Sequence, residues 1–133
     1  MRIAVCLKRV PDTTTKIVVA SDGTSIDEKG VKFVPNPYDE YALEEALKLR
    51  ETAGAGETVV YSLGGDAAQE TIRTALAMGI DRGVLLSAAP PADGLEVARA
   101  LAAELRAGNY DLILFGKLAV DDYNHQVGVM VAE

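Results

Sequence analysis

Four short apolar runs, separated by stretches with helical spacing, constrain the fold of this chain more than any other feature. The runs cover residues 3–7, 58–63, 83–87 and 112–115. Their apolar residues follow one another instead of alternating with polar ones, which is typical of strands covered on both faces. A strand followed by a helix, repeated along the chain, predicts an α/β fold with an open, doubly wound, mainly parallel sheet.

The first two helices carry start and stop signals. Asn36 is a good N-cap and Pro37 fits the first helical position. Asp66 followed by Gln69 has the spacing of a capping box, and Gly79 is placed for a left-handed stop. Helical periodicity predicts which apolar side chains face the core. They are Tyr38, Tyr41, Ala42, Ala46 and Leu49 in the first helix, and Ile72, Ala75 and Leu76 in the second.

Two further helices and an arm complete the expected elements. Pro90 and Pro91 predict a loop before a third helix over 93–107, and a fourth helix is expected from Asn124 to Glu133. Residues 16–20 and 31–34 look extended, with turn residues at 21–24, which predicts a small hairpin arm. The last helical pattern reaches Glu133 without a stop signal, so we expect the chain to be a fragment or a truncated product.

Composition restricts the classes of function. The chain of 133 residues fits one domain, spanning 1–133, and its net charge of −7 offers no basic face for nucleic acid. Cys6 is the only cysteine, which excludes an internal disulfide and suits a reducing cytosol. No run approaches the roughly 20 apolar residues of a membrane span, and no signal peptide is recognisable. We therefore expect a cytoplasmic protein without membrane insertion.

A ligand crevice is expected where the strand order reverses. With strands ordered 3-2-1-4, the loops 7–11 and 116–125 face each other at the carboxyl ends of the first and fourth strands. Lys117 and backbone N–H groups of the second loop could hold a phosphate. The signal is weak alone, because neither a Walker A pattern nor a G-x-G-x-x-G follows a strand. Gly64-Gly65-Asp66 is a second phosphate-compatible turn of equally low specificity.

Several segments together resemble the electron transfer flavoprotein beta subunit over the whole chain. The most specific are 36–46, which reads N-P-Y-D-E-Y-A-L-E-E-A, and 69–79, which reads Q-E-T-I-R-T-A-L-A-M-G. The resemblance implies a Rossmann-like or adenine nucleotide alpha hydrolase-like fold, and about the first half of the family's length. It also implies a structural AMP bound here and a FAD held mainly by an alpha subunit. The complex would carry electrons from acyl-CoA and related dehydrogenases to a quinone oxidoreductase or another acceptor.

The resemblance also implies the AMP-site residues. Asp121, Asn124 and Gln126 are expected to make polar contacts, and backbone N–H groups of 124–127 to hold the phosphate. Segment 9–14 would lie toward the partner's flavin. Leu118, where the family often has Gln, together with Tyr123 and His125, departs from the family pattern. The full expected set is Cys6, Asn36, Pro37, Tyr38, Asp39, Leu63, Gly116, Lys117, Leu118, Ala119, Val120, Asp121, Asp122, Tyr123, Asn124, His125, Gln126 and Val127.

Other interpretations stay open. A bifurcating variant of the family holds a second FAD in place of AMP. A stand-alone universal-stress-like nucleotide-binding domain and a pure interaction fragment are further alternatives. Cys6 is favoured as a core residue, His125 as a helix-start or surface residue, and Asp121 and Asp122 as capping or sugar-binding groups. No nucleophile with its base is recognisable, which indicates a carrier rather than an enzyme. An open sheet edge would favour a homo-oligomer.

Overall fold

The computed structural model describes residues 1–89 and 93–133, so the expected proline loop at 90–91 lies outside the described residues. Strands and helices alternate, as the apolar runs predict. The elements are, in chain order, β1 (Arg2–Cys6), β2 (Arg9–Pro11), β3 (Phe33–Pro35), α1 (Pro37–Ala53), β4 (Glu57–Gly64), a 3-10 turn (Asp66–Ala68), α2 (Gln69–Met78), β5 (Arg82–Ser87), α3 (Gly94–Ala107), β6 (Leu112–Phe115) and α4 (Val127–Ala132).

The main sheet is parallel and has the order β5-β4-β1-β6. If these four strands are renumbered 1 to 4 in chain order, the strand order of the sheet is 3-2-1-4. Ile3 of β1 lies opposite Thr58 of β4 on one side and opposite Leu112 of β6 on the other. Strand order therefore reverses between β1 and β6, which confirms an α/β, doubly wound fold. Strand β6 pairs with β1 alone among the described residues, and the self-association expected of such an edge stays a prediction.

Alternate side chains of β1 supply two hydrophobic cores on the two faces of the sheet. Ile3 and Val5 pack with side chains of α1 and α2, whereas Ala4 and Cys6 pack with side chains of α3 and α4. Cys6 is buried, and burial raises the pKa of its thiol. The thiol therefore stays neutral and packs as a small apolar group, as expected from the sequence.

The helix ends agree with the sequence in part. Pro37 begins α1, Gly79 ends α2 in the left-handed conformation with φ 117°, and Asp93 caps α3 through its side chain. The capping box from Asp66 was wrong, because residues 66–68 form a 3-10 turn and neither it nor α2 has a side-chain cap. The side chain of Asn36 does not cap α1 either, because it is bonded elsewhere.

The fourth helix begins later than expected. Tyr123 and His125 have left-handed backbones with φ 54° and 60°, which a helix cannot include. Residues 124–126 are therefore outside α4, which begins at Val127. None of the helices in the described ranges is long and apolar enough to cross a membrane.

The arm forms, but with a different pairing. Strand β3 pairs antiparallel with β2, placing Arg9 opposite Pro35, and not with residues 16–20. In the outer part only Val19 and Ile26 form a bridge. The expected turn is held by Asp22, whose carboxylate accepts from the backbone N–H groups of Thr24 and Ser25. The β2–β3 ribbon thus follows β1 directly and leads into α1, which places it beside the reversal point of the sheet.

Candidate functional site

A cleft of about 950 Å³ lies at the carboxyl ends of β1 and β6, where the strand order reverses. This is the position at which open α/β sheets bind ligands. The loop after β1, the start of α1, the turn after β4, the start of α3 and the loop between β6 and α4 all contribute to its walls. The two loops expected to face each other therefore do so.

The structure brings most of the predicted site residues to this cleft. Those lining it are Cys6, Asn36, Asp39, Leu63, Gly116, Lys117, Leu118, Ala119, Asp121, Asp122, Asn124, His125, Gln126 and Val127. Pro37, Tyr38, Val120 and Tyr123 are not among the lining residues. Contact of any of them with a nucleotide stays a prediction.

Asn36 fixes the loop between β6 and α4. Its side chain is buried, its Nδ2 donates to the carbonyl oxygen of Leu118 at 2.8 Å, and its Oδ1 accepts from the N–H of Val120 at 3.1 Å. One amide therefore satisfies a carbonyl and an N–H that are two residues apart on a distant loop. The residue that the sequence indicated as a helix cap instead shapes the wall of the cleft.

Replacing Asn36 by alanine is expected to lower the free energy of unfolding by about 2 kcal/mol, because a partly buried carbonyl and N–H lose their partners. Urea unfolding measures the change. Lys117→Ala is the matched control, because Lys117 lies on the same loop and is exposed. Equal stabilities of the Asn36 variant and the control would contradict this role.

Asp39 ties the carboxyl ends of β1 and β6 together. Its Oδ2 accepts from the N–H of Lys8 at 2.8 Å, and its Oδ1 accepts from the N–H of Gly116 at 3.1 Å. Burial raises the pKa of Asp39 to about 6, against the opposing effect of these hydrogen bonds and of the Lys8 charge. The first turn of α1 thus holds both loops of the cleft at once.

Lys8 bridges the cleft through its ammonium group. Its Nζ lies 2.8 Å from Oδ1 of Asp121 and 3.0 Å from Oδ2 of Asp122. Burial works to lower the pKa of Lys8, but the hydrogen bonds and charges of the two carboxylates outweigh it and raise that pKa. Both aspartates of the loop are consequently engaged with the chain itself in this structure.

Sequence reasoning missed several residues of the cleft. Lys8 belongs to the loop 7–11 that was predicted to face the crevice, but it was not among the expected contact residues, although a charged residue directly after a buried strand is a usable signal. Asp93 and Gly94, at the start of α3, and Tyr61, on β4, also line the cleft. The helical and strand patterns alone gave no reason to place these three residues in the cleft.

The lining of this cleft mixes charged, polar and apolar groups. Backbone N–H groups, carboxylates, two lysines and an arginine surround apolar side chains that include Val97, Leu101 and Phe115. Such a mixture suits a ligand with both a flat apolar part and charged groups. Within 1–89 and 93–133, no group of three or more His, Cys, Asp or Glu side chains could hold a metal ion.

Comparison with known proteins identifies the family of this chain. Residues 23–133 match the family model of the electron transfer flavoprotein domain. The electron transfer flavoprotein subunit beta of Bradyrhizobium diazoefficiens is 45% identical over 132 residues, covering 99% of this chain and 53% of that protein. The human protein of the same name is 44% identical over 137 residues, again covering 99% and 53%. The chain spans about half the length of the curated relatives it matches.

The fold and the cleft at the reversal point define a Rossmann-like α/β protein. Within that class the chain belongs to the electron transfer flavoprotein family, as residues 23–133 show. The relatives it matches are beta subunits from bacteria and eukaryotes, and the resemblance seen in the sequence is confirmed.

Proposed function

We propose that this chain binds AMP in the cleft between β1 and β6 and pairs with an alpha subunit that carries FAD. The observation that supports the proposal best is the location of the cleft. It lies at the reversal point of the sheet and is lined by most of the residues expected to contact AMP. A charged, partly apolar cleft of this size suits a nucleoside monophosphate.

The loop before α4 would supply the phosphate contacts. The N–H of Asn124 already donates to Oδ1 of Asp122 at 3.0 Å, so the N–H groups of residues 125–127 are the better candidates. Asp121 and Gln126 would bond the ribose or the base. Because Lys8 holds Asp121 in this structure, binding a ribose there would require Asp121 to share or exchange its partner.

The proposed role of the complex is electron transfer. Electrons would pass from acyl-CoA-type dehydrogenases through the FAD of the alpha subunit to a quinone oxidoreductase or another acceptor. The AMP bound here would be structural, and segment 9–14 would face the partner's flavin. In this proposal the chain contributes binding surfaces and no catalytic group of its own.

Identification of a bound nucleotide tests the proposal. We expect denaturation of the purified chain to release AMP, identified by liquid chromatography and mass spectrometry. The Asn36→Ala variant, whose cleft wall is loosened, is expected to release less AMP per chain than the wild type. The Lys32→Gln variant, changed at an exposed position outside the cleft, should release as much as the wild type.

Release of FAD and an empty extract are the other possible results of this experiment. Release of FAD would favour the variant with a second flavin over the AMP form. If the extract is empty, AMP is added to the chain and binding is measured by calorimetry. Failure of added AMP to bind, both alone and with the alpha subunit present, would contradict the proposed site.

A further inference from the structure

The charged side chains lining the cleft are not equally engaged. All four of its carboxylates have partners. Asp39 accepts from two backbone N–H groups, Asp93 caps α3, Asp121 is bonded to Lys8, and Asp122 is bonded to Lys8 and to the N–H of Asn124. Lys8 is the only lining cation in the described ranges with a carboxylate partner. Arg9 and Lys117 therefore line the cleft without a carboxylate partner in the described ranges, although the lining holds four aspartates against three lysine and arginine side chains.

Arg9 is one of these two cations. It follows β1, lies on β2 opposite Pro35, and is half-buried. Its guanidinium carbon lies over the Phe33 ring, 3.5 Å from the ring centroid, which positions the group. Lys117, the other lining cation without a carboxylate partner in the described residues, is exposed.

Nε of the Arg9 guanidinium lacks a hydrogen-bond partner among the residues that the structure describes. Its Nε is buried without a partner, and no carboxylate of residues 1–89 and 93–133 forms an ion pair with it. A buried donor without an acceptor costs about 1–3 kcal/mol, and more when it is charged. Stacking on one ring offsets only part of this cost, because a cation–π contact contributes about 0.5–2 kcal/mol. Because Arg9 lines the cleft, an acceptor bound there is the partner available to its guanidinium.

We propose that Arg9 is an anion-recognition residue of the cleft and binds a phosphate group of the nucleotide held there. A guanidinium positioned over an aromatic ring is pre-organised for contact with phosphate oxygens, which its planar donors can bind in pairs. The inference rests on the proposed function for the identity of the nucleotide. It assigns Arg9 to the ligand of this chain, and so removes this one residue from the segment 9–14 that the proposed function directs toward the partner's flavin.

Comparing AMP with adenosine tests the proposal by isolating the phosphate. We expect Arg9→Gln to weaken AMP binding about 10- to 100-fold, the loss that follows from a charged hydrogen bond, and to leave adenosine binding within about 2-fold. Arg9→Lys should recover part of the AMP affinity, because lysine keeps the positive charge but lacks the planar guanidinium that makes two parallel hydrogen bonds. Lys32→Gln is the matched control, since Lys32 is an exposed cation on the same ribbon and does not line the cleft.

A second measurement uses the wild-type chain and no variant. The Nε–Hε resonance of Arg9 is followed by NMR while inorganic phosphate or adenosine is added. We expect phosphate to shift the resonance at saturation and adenosine to leave it in place. This result would support the anion site even if AMP does not bind, a case in which the proposed function alone fails. If phosphate leaves the resonance unmoved, or if Arg9→Gln weakens AMP and adenosine equally, the proposal is overturned.

Discussion

Replacing Gly116 by alanine is expected to lower the free energy of unfolding by about 3–4 kcal/mol. A Cβ on this residue would lie 2.6 Å from the carbonyl carbon of Tyr38 and 2.7 Å from the backbone nitrogen of Asp39, and would collide with Oδ1 of Asp39. The first two neighbours are backbone atoms at the start of α1, so they cannot move aside as a side-chain end can. Overpacking costs about 1–3 kcal/mol, and the hydrogen bond from Gly116 to the carboxylate is lost as well.

Urea unfolding measures this effect as a lower midpoint with an unchanged dependence on denaturant. Gly65→Ala is the matched control, because Gly65 also lines the cleft, has a negative φ of −76°, and would place its Cβ in open space. The control should be neutral or slightly stabilising, since alanine restricts the unfolded chain. A Gly116 variant as stable as the control would show that the two strand ends are not held as closely as the structure indicates.

The strands could be predicted because their pattern depends on burial alone. Residues 3–7 are apolar on both faces, residues 58–63 are mostly apolar, and β1 and β4 are the strands at the centre of the sheet. Gly79 was predicted for a similar reason, because a left-handed C-terminal residue is a local requirement. Features set by one residue and its near neighbours are thus readable from sequence.

Features that depend on distant segments were not predictable. Tyr41 was expected to face the core but is 75% exposed, and Leu76 is 39% exposed, whereas Leu43 is fully buried. Periodicity gives the spacing of an inner face but not its rotation about the helix axis, which packing on the sheet decides. Asn36 was expected to cap its own helix, and only the fold reveals that a loop some 80 residues later takes its side chain.

The candidate site likewise has features that the sequence predicts and features that depend on distant segments. The cleft's position could be predicted, because a strand-order reversal brings the ends of β1 and β6 together for any side chains. The ion pairs from Lys8 to Asp121 and Asp122 could not, because they depend on the final path of the loop. The same holds for Arg9, because only the folded structure reveals that its Nε has no hydrogen-bond partner among the described residues.

Raising the pH from about 4 to about 6 is expected to lower the stability of the folded chain through Asp39. Burial raises the pKa of this carboxyl from 3.8 to about 6, so the folded state binds its proton more tightly than the unfolded state does. Stability from this group is complete below about pH 4 and is lost as the pH rises through the folded pKa. The difference between the two pKa values corresponds to about 3 kcal/mol.

The other shifted carboxyl groups act in a different window. The pKa values of Asp12, Asp22, Asp81 and Asp122 are lowered, so their contributions are lost as the pH falls below about 4. Among these groups, only Asp39 makes stability decrease with rising pH between 4 and 6. The two windows can therefore be separated in one pH series of urea unfolding.

The Asp39→Asn variant identifies the source of the decrease. Asparagine does not titrate, so this component of the pH dependence should disappear, whatever the variant's stability at one fixed pH. Glu40→Gln is the matched control, because Glu40 is the next residue of the same helical turn but is exposed. It should keep the wild-type slope. If the slope persists in the Asp39 variant, the ionised carboxylate is better solvated than its burial between two backbone N–H groups implies, and the tie between β1 and β6 is correspondingly looser.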